Sequence, residues 1–255
     1  MKMRLNSMAA GAAILLAAGP AAALTICAEG AYPPFSETAP DGTLKGFDID
    51  IANALCQQTG ESCTLLKVDW DGIIPALLEK KCDAIVASMS ATPDRRQVVD
   101  FTKKYYQVPN RFAARKDAGL TDTPEGLAGK VVGVQRGTIH QDFMEKHYPG
   151  VTLQTYGTQD EAILDLQSGR IDAIMGDAIQ IEGGFLATEA GKDYAFFGSE
   201  NHYDPAVHGD GVAVAVRKED TALRDKLSAA IDAIRADGTY DTLQKKYFAF
   251  DIYGG

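Results

Sequence analysis

The chain contains one short motif twice, and the two copies end in different polar residues. Asp-Ala-Ile occurs at 83–85 and again at 172–174, each time after an apolar pattern typical of a helix. Each copy therefore predicts a helix, a tight turn and a short buried strand, the first leading to Ser88 and the second to Asp177. Ligands of open α/β sheets bind at the carboxyl ends of strands, so we expect two similar α/β lobes with a hydroxyl and a carboxylate across one cleft. The alternative is chance recurrence in an alanine-rich chain.

The amino-terminal segment 1–23 has the pattern of a secretory signal peptide. Two basic residues precede an apolar run at 8–18, and three alanines at 21–23 form a small-residue cleavage site. The run is too short for a membrane helix, which needs about 20 residues. We therefore expect an exported chain that begins near Leu24 and has no later membrane helix.

The charge of the mature chain restricts the class of ligand. Segment 1–23 carries two of the 25 basic residues and none of the 35 acidic ones, so its removal leaves a net charge of −12. Such a charge argues against nucleic acid, whose binding depends on neutralising phosphates. It is compatible with a small cationic ligand.

Four cysteines follow the predicted signal peptide, and an exported chain permits disulfides. Cys56 lies in the last turn of a predicted helix and Cys63 opens the next strand, so we expect a bridge across this reversal, contributing about 2–3 kcal/mol in the chain-entropy model. Cys27 and Cys82 are predicted near opposite ends of two neighbouring strands, as buried thiols and not as a bridge. No His or Cys cluster has the spacing of a metal site.

Strand and helix patterns alternate through both halves of the mature chain. The alternation starts at 24–28 and restarts at 131–134, after a stretch at 117–129 that contains Gly, Asp and Pro. A strand at 212–216 and a long amphipathic helix at 221–236 follow. Strands that alternate with helices predict parallel sheets in both halves.

Two predicted helix starts could bind an anion. Thr92-Pro93-Asp94-Arg95 has the residues favoured at a helix N-terminus, and Arg95 in the first turn could grip an anion bidentately. Gly137-Thr138 follows a strand and opens the next helix in the same way. The alternative for Arg95 is an ordinary arginine on the surface, and the alternative for Thr138 is a plain helix cap.

Three further residues follow predicted strand ends. Tyr32 and Trp70 could flank a planar or cationic group, and Glu29 could pair with a ligand cation. The alternative for Tyr32 and Trp70 is that their rings pack between a loop and the core. The alternative for Glu29 is a solvated acid on the surface. From the residues alone, His140 is expected on a helix surface. The chain has neither a G-x-S-x-G elbow nor a glycine-rich phosphate loop, so we predict no catalytic site.

Taken together and in order, these segments resemble the bacterial periplasmic polar amino-acid-binding proteins of ABC importers, solute-binding protein family 3. The lysine/arginine/ornithine-, histidine- and arginine-binding members are the most similar. The resemblance covers essentially the whole mature chain. It is carried by segments 46–52, 74–77, 83–85, 88–92, 132–134, 137–138, 169–173, 217–220, 236–240 and 246–248.

The resemblance implies a type II periplasmic binding protein fold, in which two α/β lobes enclose a ligand cleft. Two crossover strands would join the lobes, near 106–109 and 208–211. Lobe 1 would then comprise 24–107 and 210–255, and lobe 2 would comprise 108–209.

The resemblance also assigns ligand contacts. Arg95 matches the arginine that binds the ligand α-carboxylate, helped by backbone N–H groups at Ser90 and Thr138. Asp177, with hydroxyl or carbonyl groups at Ser88 and Ser90, matches the site of the α-ammonium. The remaining matches are aromatics that sandwich the ligand side chain and an acid that meets its distal cation. These are Tyr32, Trp70 and Glu29.

Two departures from the family pattern, and one position that varies within the family, affect the ligand prediction. Ala87 replaces a small polar residue, Ile139 replaces a threonine, and His140 stands where relatives have Gln or His. Glu29 with two aromatics favours arginine, then lysine or ornithine, then histidine. Opine-type, arginine-derived ligands also resemble the pattern at 137–140.

The implied function is a periplasmic receptor, monomeric and without metal or cofactor, that delivers a cationic L-amino acid to an ABC permease in the inner membrane. The rival function is a periplasmic dehydratase of cyclohexadienyl substrates on the same fold. That enzyme has no use for an α-ammonium site at Asp177, which favours the receptor.

Overall fold

The computed structural model describes residues 23–254. The predicted signal peptide therefore lies outside the described residues, apart from Ala23. The strands are β1 (Leu24–Ala28), β2 (Ala31–Tyr32), β3 (Ser36–Thr38), β4 (Leu44–Lys45), β5 (Cys63–Lys67), β6 (Ala84–Ile85), β7 (Asp100–Tyr106), β8 (Asn110–Arg115), β9 (Val131–Gln135), β10 (Thr152–Tyr156), β11 (Ala173–Asp177), β12 (Tyr194–Phe197) and β13 (Val212–Val216).

Helices pack on both sides of the main sheets. They are α1 (Phe47–Thr59), α2 (Trp70–Leu78), α3 (Arg95–Val98), α4 (Ile139–His147), α5 (Gln159–Gln167), α6 (Ala178–Ile181), α7 (Pro205–His208), α8 (Thr221–Ala236) and α9 (Thr239–Tyr247), with a π-helical turn at Glu182–Leu186 and a 3-10 turn at Glu189–Gly191. None of the helices within residues 23–254 has the length and apolar character needed to cross a membrane.

Two five-stranded sheets form the two halves of the molecule, which we call lobe 1 and lobe 2. Lobe 1 has the strand order β5-β1-β6-β13-β7, and lobe 2 has the order β10-β9-β11-β8-β12. The predicted parallel pairing occurs around β1 in the first sheet and around β9 in the second. Both sheets are nevertheless mixed, because β13 and β8 run antiparallel to their neighbours.

The antiparallel strands β8 and β13 are the ones that follow a change of lobe. The chain leaves the first sheet after Tyr106 and enters the second at Asn110, then returns through Gly209 and Gly211 to Val212. Both glycines have positive φ, 65° and 104°, a region that disfavours other residues. The division at 107/108 and 209/210 stays a prediction, and these two connections are where we place the hinge.

Successive side chains along each strand point to opposite faces of the sheet, and both faces of each sheet are covered by an apolar core. In β1, Ile26 faces the cluster formed with α1, α8 and α9, while Cys27 faces the cluster formed with α2. Two further clusters cover the faces of the second sheet. Rigid cores of this kind hold the strand ends, and the polar residues that follow them, in fixed positions.

Local sequence explains several helix limits. Gly60 ends α1 in the left-handed conformation and donates its N–H to Cys56 O and Gln57 O. Thr158 and Glu161 form a reciprocal capping box at the start of α5. Asp69 is extended and occupies the N-cap position of α2, so this helix begins at Trp70 and Pro75 lies inside it.

The structure contains two disulfides. Cys56 and Cys63 form the predicted bridge. Cys27 and Cys82 form the second, so the expectation that they are separate thiols is wrong. The prediction placed Cys27 and Cys82 near opposite ends of two neighbouring strands. In the structure β6 has only residues 84–85, and the turn before it brings the Cα of Cys82 to 5.8 Å from that of Cys27.

Removal of the Cys27–Cys82 bridge should destabilise the protein more than removal of the Cys56–Cys63 bridge. The sequence separations are 55 and 7 residues. Loop closure in the unfolded chain then accounts for about 4 and about 2 kcal/mol in the entropy model. Urea unfolding of the two double Cys→Ala variants tests this difference, and equal losses of unfolding free energy would contradict it.

Candidate ligand-binding cleft

A cleft between the lobes brings together all ten residues that the sequence singled out for ligand binding. Its lining consists of Glu29, Tyr32, Trp70, Ala87, Ser88, Ser90, Arg95, Gln135, Thr138, Ile139, His140 and Asp177. Ala87 and Gln135 are the additions. The residues up to Arg95 belong to lobe 1 and the rest to lobe 2. Most lie at or just beyond the carboxyl end of a strand, the position that α/β sheets use for ligands.

Arg95 reaches across the cleft from the start of α3. Its Nη1 donates to Ser90 O at 3.0 Å, and its Nη2 donates to Gly137 O in lobe 2 at 3.1 Å. The guanidinium lies 5.2 Å from the centroid of the Trp70 ring. Trp70 Nε1 also donates to Gly137 O, at 3.3 Å. A planar cation is therefore held by neutral carbonyls and an aromatic face, where a carboxylate would be a stronger partner.

The helix with Arg95 begins later than predicted. α3 begins at Arg95 itself and has four residues. Thr92 was expected as its cap; the Thr92 hydroxyl accepts from Arg95 N at 3.2 Å, but the residue lies outside the helix. On the other lobe, Thr138 occupies the N-cap of α4 and donates its hydroxyl to Gln135 O at 2.7 Å. The Thr138 hydroxyl therefore binds the protein itself.

Asp177 is the last residue of β11 and is only 6% exposed. The hydroxyl of Tyr32, in lobe 1, donates to Asp177 Oδ2 at 2.9 Å. His140 Nε2 lies 3.3 Å from Asp177 Oδ1 and 2.8 Å from Asn110 Oδ1. The partner of this carboxylate from lobe 1 is thus a neutral hydroxyl. A cationic group in the same place would bind the carboxylate more strongly.

His140 is buried in the cleft, so its expected place on a helix surface is wrong. It is the second residue of α4 and is 3% exposed. The first turn of α4 faces the sheet, because the helix starts directly after β9 and the loop turns at Gly137, whose φ is 67°. Hydropathy could not show this, because histidine occurs in both environments.

Glu29 follows β1 and has a lobe 2 side chain as its partner. Gln135 Nε2 donates to Glu29 Oε1 at 2.6 Å and also to Gly157 O at 3.2 Å. Burial raises the pKa of Glu29 to about 7, opposed by the hydrogen bond from Gln135. The acid is therefore buried near an amide that could give way to a cation. Gln135 was not among the predicted site residues, although it is the last residue of β9, just as Asp177 is the last residue of β11.

Ser88 is oriented by a buried acid that the sequence did not connect with it. Ser88 has a left-handed backbone with φ 53°, and its hydroxyl donates to Asp48 Oδ2 at 2.9 Å. Tyr105 donates to the other carboxylate oxygen at 2.9 Å. Burial raises the pKa of Asp48 to about 7. Because the Ser88 proton is used for Asp48, its oxygen can face the cleft only as an acceptor.

The lobes are closed on each other. Besides the contacts of Arg95, Tyr32 and Gln135, Arg136 of lobe 2 pairs with Asp71 of lobe 1, with Nε 3.0 Å from Oδ2. The space inside the cleft is correspondingly narrow. Within residues 23–254, no three His, Cys, Asp or Glu side chains are grouped so that they could hold a metal ion.

Comparison with known proteins shows which family has this architecture. Residues 24–250 match the bacterial extracellular solute-binding proteins, family 3. The chain belongs to this family. The L-arginine-binding protein of Pseudomonas aeruginosa is 47% identical over 228 residues, which cover 89% of this chain and 88% of that relative. The histidine-binding periplasmic protein of Escherichia coli is 42% identical over 226 residues, which cover 88% and 86%.

A solved structure agrees with this assignment. A Salmonella typhimurium periplasmic binding protein with high arginine specificity superposes with a TM-score of 0.82 at 34% identity, and the match covers 90% of this chain and 100% of that one. The resemblance inferred from the sequence and the predicted type II fold class are thereby confirmed. In this family 3 protein the described residues that line the cleft include the guanidinium of Arg95 and two buried acids, Asp177 and Glu29.

Proposed function

We propose that this solute-binding protein captures a cationic L-amino acid in the periplasm and delivers it to an ABC importer of the inner membrane. Arginine is the preferred ligand, followed by lysine or ornithine and then histidine. One observation carries the proposal. Arg95, Asp177 and Glu29 line a single cleft, and each has a neutral group of the facing lobe as its partner.

An arginine zwitterion has the three charges that complement these side chains. Its α-carboxylate would replace Gly137 O on Arg95, and its α-ammonium would replace the Tyr32 hydroxyl on Asp177. The guanidinium would replace the Gln135 amide on Glu29. Each replacement exchanges a hydrogen bond with a neutral partner for one between opposite charges, which is the stronger interaction in an enclosed site. The names of the Pseudomonas aeruginosa and Escherichia coli relatives support a basic amino acid.

The aromatic residues complete the proposed site. Trp70 at the rim and the buried Tyr32 ring would flank the aliphatic arm and planar head of the ligand. Ser88, acting only as an acceptor, suits an α-ammonium, while backbone N–H groups at Ser90 and Thr138 suit the α-carboxylate. Ile139 supplies an apolar wall. Exchange with solvent then requires the lobes to part at the two connections between the sheets.

A receptor fits these groups better than an enzyme. A dehydratase acting on a cyclohexadienyl carboxylate would use Arg95 but has no cation for Asp177. The closed cleft instead opposes a carboxylate to an arginine, as an α-amino acid requires. We also propose that the protein acts as a monomer, with the permease as its macromolecular partner.

The charge of Glu29 provides a test of the cationic ligand. Its pKa in the closed structure is about 7, above the ordinary value of 4.5, so the carboxyl is largely protonated at about pH 6. A guanidinium binds the ionised form, so arginine binding at that pH should release about one proton. The affinity for arginine should therefore rise as the pH increases through about 7 and then level off.

Isothermal titration calorimetry in buffers of different ionisation enthalpy measures this release. Glu29→Gln should lower the affinity for arginine by at least about tenfold, have little effect on glutamine binding, and abolish proton release. Glu37→Gln is the matched control, because Glu37 is a partly exposed acid of the same lobe, paired with Lys45. Equal losses for arginine and glutamine would show that Glu29 is structural, and no binding of any basic amino acid to the wild type would refute the proposed function.

A further inference from the structure

A hydrogen bond between the lobes occupies the acid that the proposed function assigns to the distal cation. Gln135, the last residue of β9, donates its Nε2 to Glu29 Oε1 at 2.6 Å and to Gly157 O at 3.2 Å. An amide nitrogen carries two hydrogens, so both are in use. Gln135 is 2% exposed and Glu29 is 4% exposed. In the closed cleft Glu29 therefore already has a buried partner.

The surrounding structure holds the amide of Gln135 against Glu29. The backbone O of Gln135 accepts from the Thr138 hydroxyl at 2.7 Å, which fixes the end of β9. Gly157 directly follows β10, the neighbouring strand, and its carbonyl binds the same amide nitrogen that binds Glu29. A side chain fixed in this way loses little further freedom when it pairs with Glu29. The amide is thus a preorganised competitor for any ligand group that approaches this acid.

The amide supplies a hydrogen bond to Glu29 but no charge. Burial raises the pKa of Glu29 to about 7, and the carboxylates of Asp160, Asp69 and Asp71 add to this rise. Arg136 offsets part of the Asp71 charge, because the two side chains are paired. A cation placed against Glu29 gains from these nearby negative charges, whereas a neutral donor gains only the hydrogen bond.

We infer that Gln135 is a specificity-determining residue, which excludes neutral amino acids of arginine length by occupying Glu29. A neutral head group that reaches Glu29 replaces one neutral donor by another and gains nothing from the exchange. A guanidinium replaces the amide by an opposite charge and gains affinity. The inference rests on the proposed function, because it takes the distal end of the ligand to lie at Glu29.

The test compares three ligands by calorimetry on the mature chain: L-arginine, L-citrulline and L-norvaline. Citrulline has an uncharged ureido group in place of the guanidinium, and norvaline has the aliphatic arm without a head group. We expect the wild type to bind arginine most tightly and citrulline no more tightly than norvaline.

Gln135→Met keeps the length of the side chain and removes its donor. The variant should bind citrulline about threefold to tenfold more tightly than the wild type does, because Glu29 then has no partner until a ligand supplies one. At about pH 8, above the pKa of Glu29, arginine should gain by a similar factor. The affinity for norvaline should change by less than about twofold.

Two further variants control this result. Gln154→Met alters an exposed glutamine of the neighbouring strand β10 and should bind all three ligands as the wild type does. Gln135→Leu also lacks a donor and should reproduce the effect of Gln135→Met. Circular dichroism checks that each variant is folded.

Each other outcome has a definite meaning. Weaker binding of arginine or citrulline by Gln135→Met would overturn the inference, because Gln135 would then be a partner of the ligand and not its competitor. Equal changes for all three ligands would make Gln135 structural and overturn it as well. A wild type that bound citrulline as tightly as arginine would contradict the exclusion of neutral ligands. If the wild type bound no basic amino acid, the proposed function itself would fail.

Discussion

Arg95→Ala should weaken the binding of every amino acid by at least about 30-fold while the fold remains stable. The guanidinium is the only arginine or lysine group among the described residues that line the cleft, and its present partners are carbonyl oxygens of Ser90 and Gly137. Removal of one partner of an enclosed charge pair costs roughly 2–5 kcal/mol, which corresponds to a loss of affinity of about 30-fold to several thousand-fold. Calorimetry with L-arginine measures the loss of affinity, and circular dichroism checks that the variant is folded.

Arg96→Ala is the matched control for this variant. Arg96 is the next residue of the same helix, but it forms partly exposed pairs with Asp100 and Asp210 and does not line the cleft. It should bind arginine as the wild type does. Wild-type affinity in Arg95→Ala would contradict the assignment of this residue to the α-carboxylate.

Asp177→Asn should cause a loss of similar size, but one that depends on the α-ammonium. The buried carboxylate would become a neutral amide that can still accept from the Tyr32 hydroxyl, so the lobe contact is preserved. Arginine should bind at least about a hundredfold more weakly, because its ammonium would face an uncharged oxygen. The des-amino analogue 5-guanidinopentanoate has no ammonium, and its weaker binding should change little.

Two comparisons make this result specific. Asp193→Asn alters an exposed acid of the same lobe and should leave both affinities unchanged. If Asp177→Asn instead weakened the des-amino analogue as much as arginine, Asp177 would face the guanidinium that both ligands carry, and the two ends of the ligand would be assigned in the wrong order.

The sequence predicted the cleft because most of its residues are marked by position along the chain. Glu29, Ser88 and Asp177 each end or follow a short apolar strand, and Gly137-Thr138 opens a helix directly after one. Strand ends meet at one edge of a sheet, so local patterns were enough to group these residues. The same patterns predicted the parallel strands around β1 and β9.

What the sequence could not show depends on contacts between distant residues. The Asp48–Ser88 hydrogen bond spans 40 positions, and the Gln135–Glu29 hydrogen bond spans 106 and joins two lobes. The Cys27–Cys82 bridge depended on the exact length of β6, which no periodicity reveals. The antiparallel strands arise because the chain reverses as it changes lobes, and strand composition does not record direction.

The most direct test of the central claim is a crystal structure of the protein crystallised with L-arginine. We predict one arginine between the lobes, with its α-carboxylate on Arg95, its α-ammonium on Asp177 and its guanidinium against Glu29. The Gly137, Tyr32 and Gln135 contacts to these groups should be displaced. An arginine bound in the opposite orientation, or outside the cleft, would contradict the account.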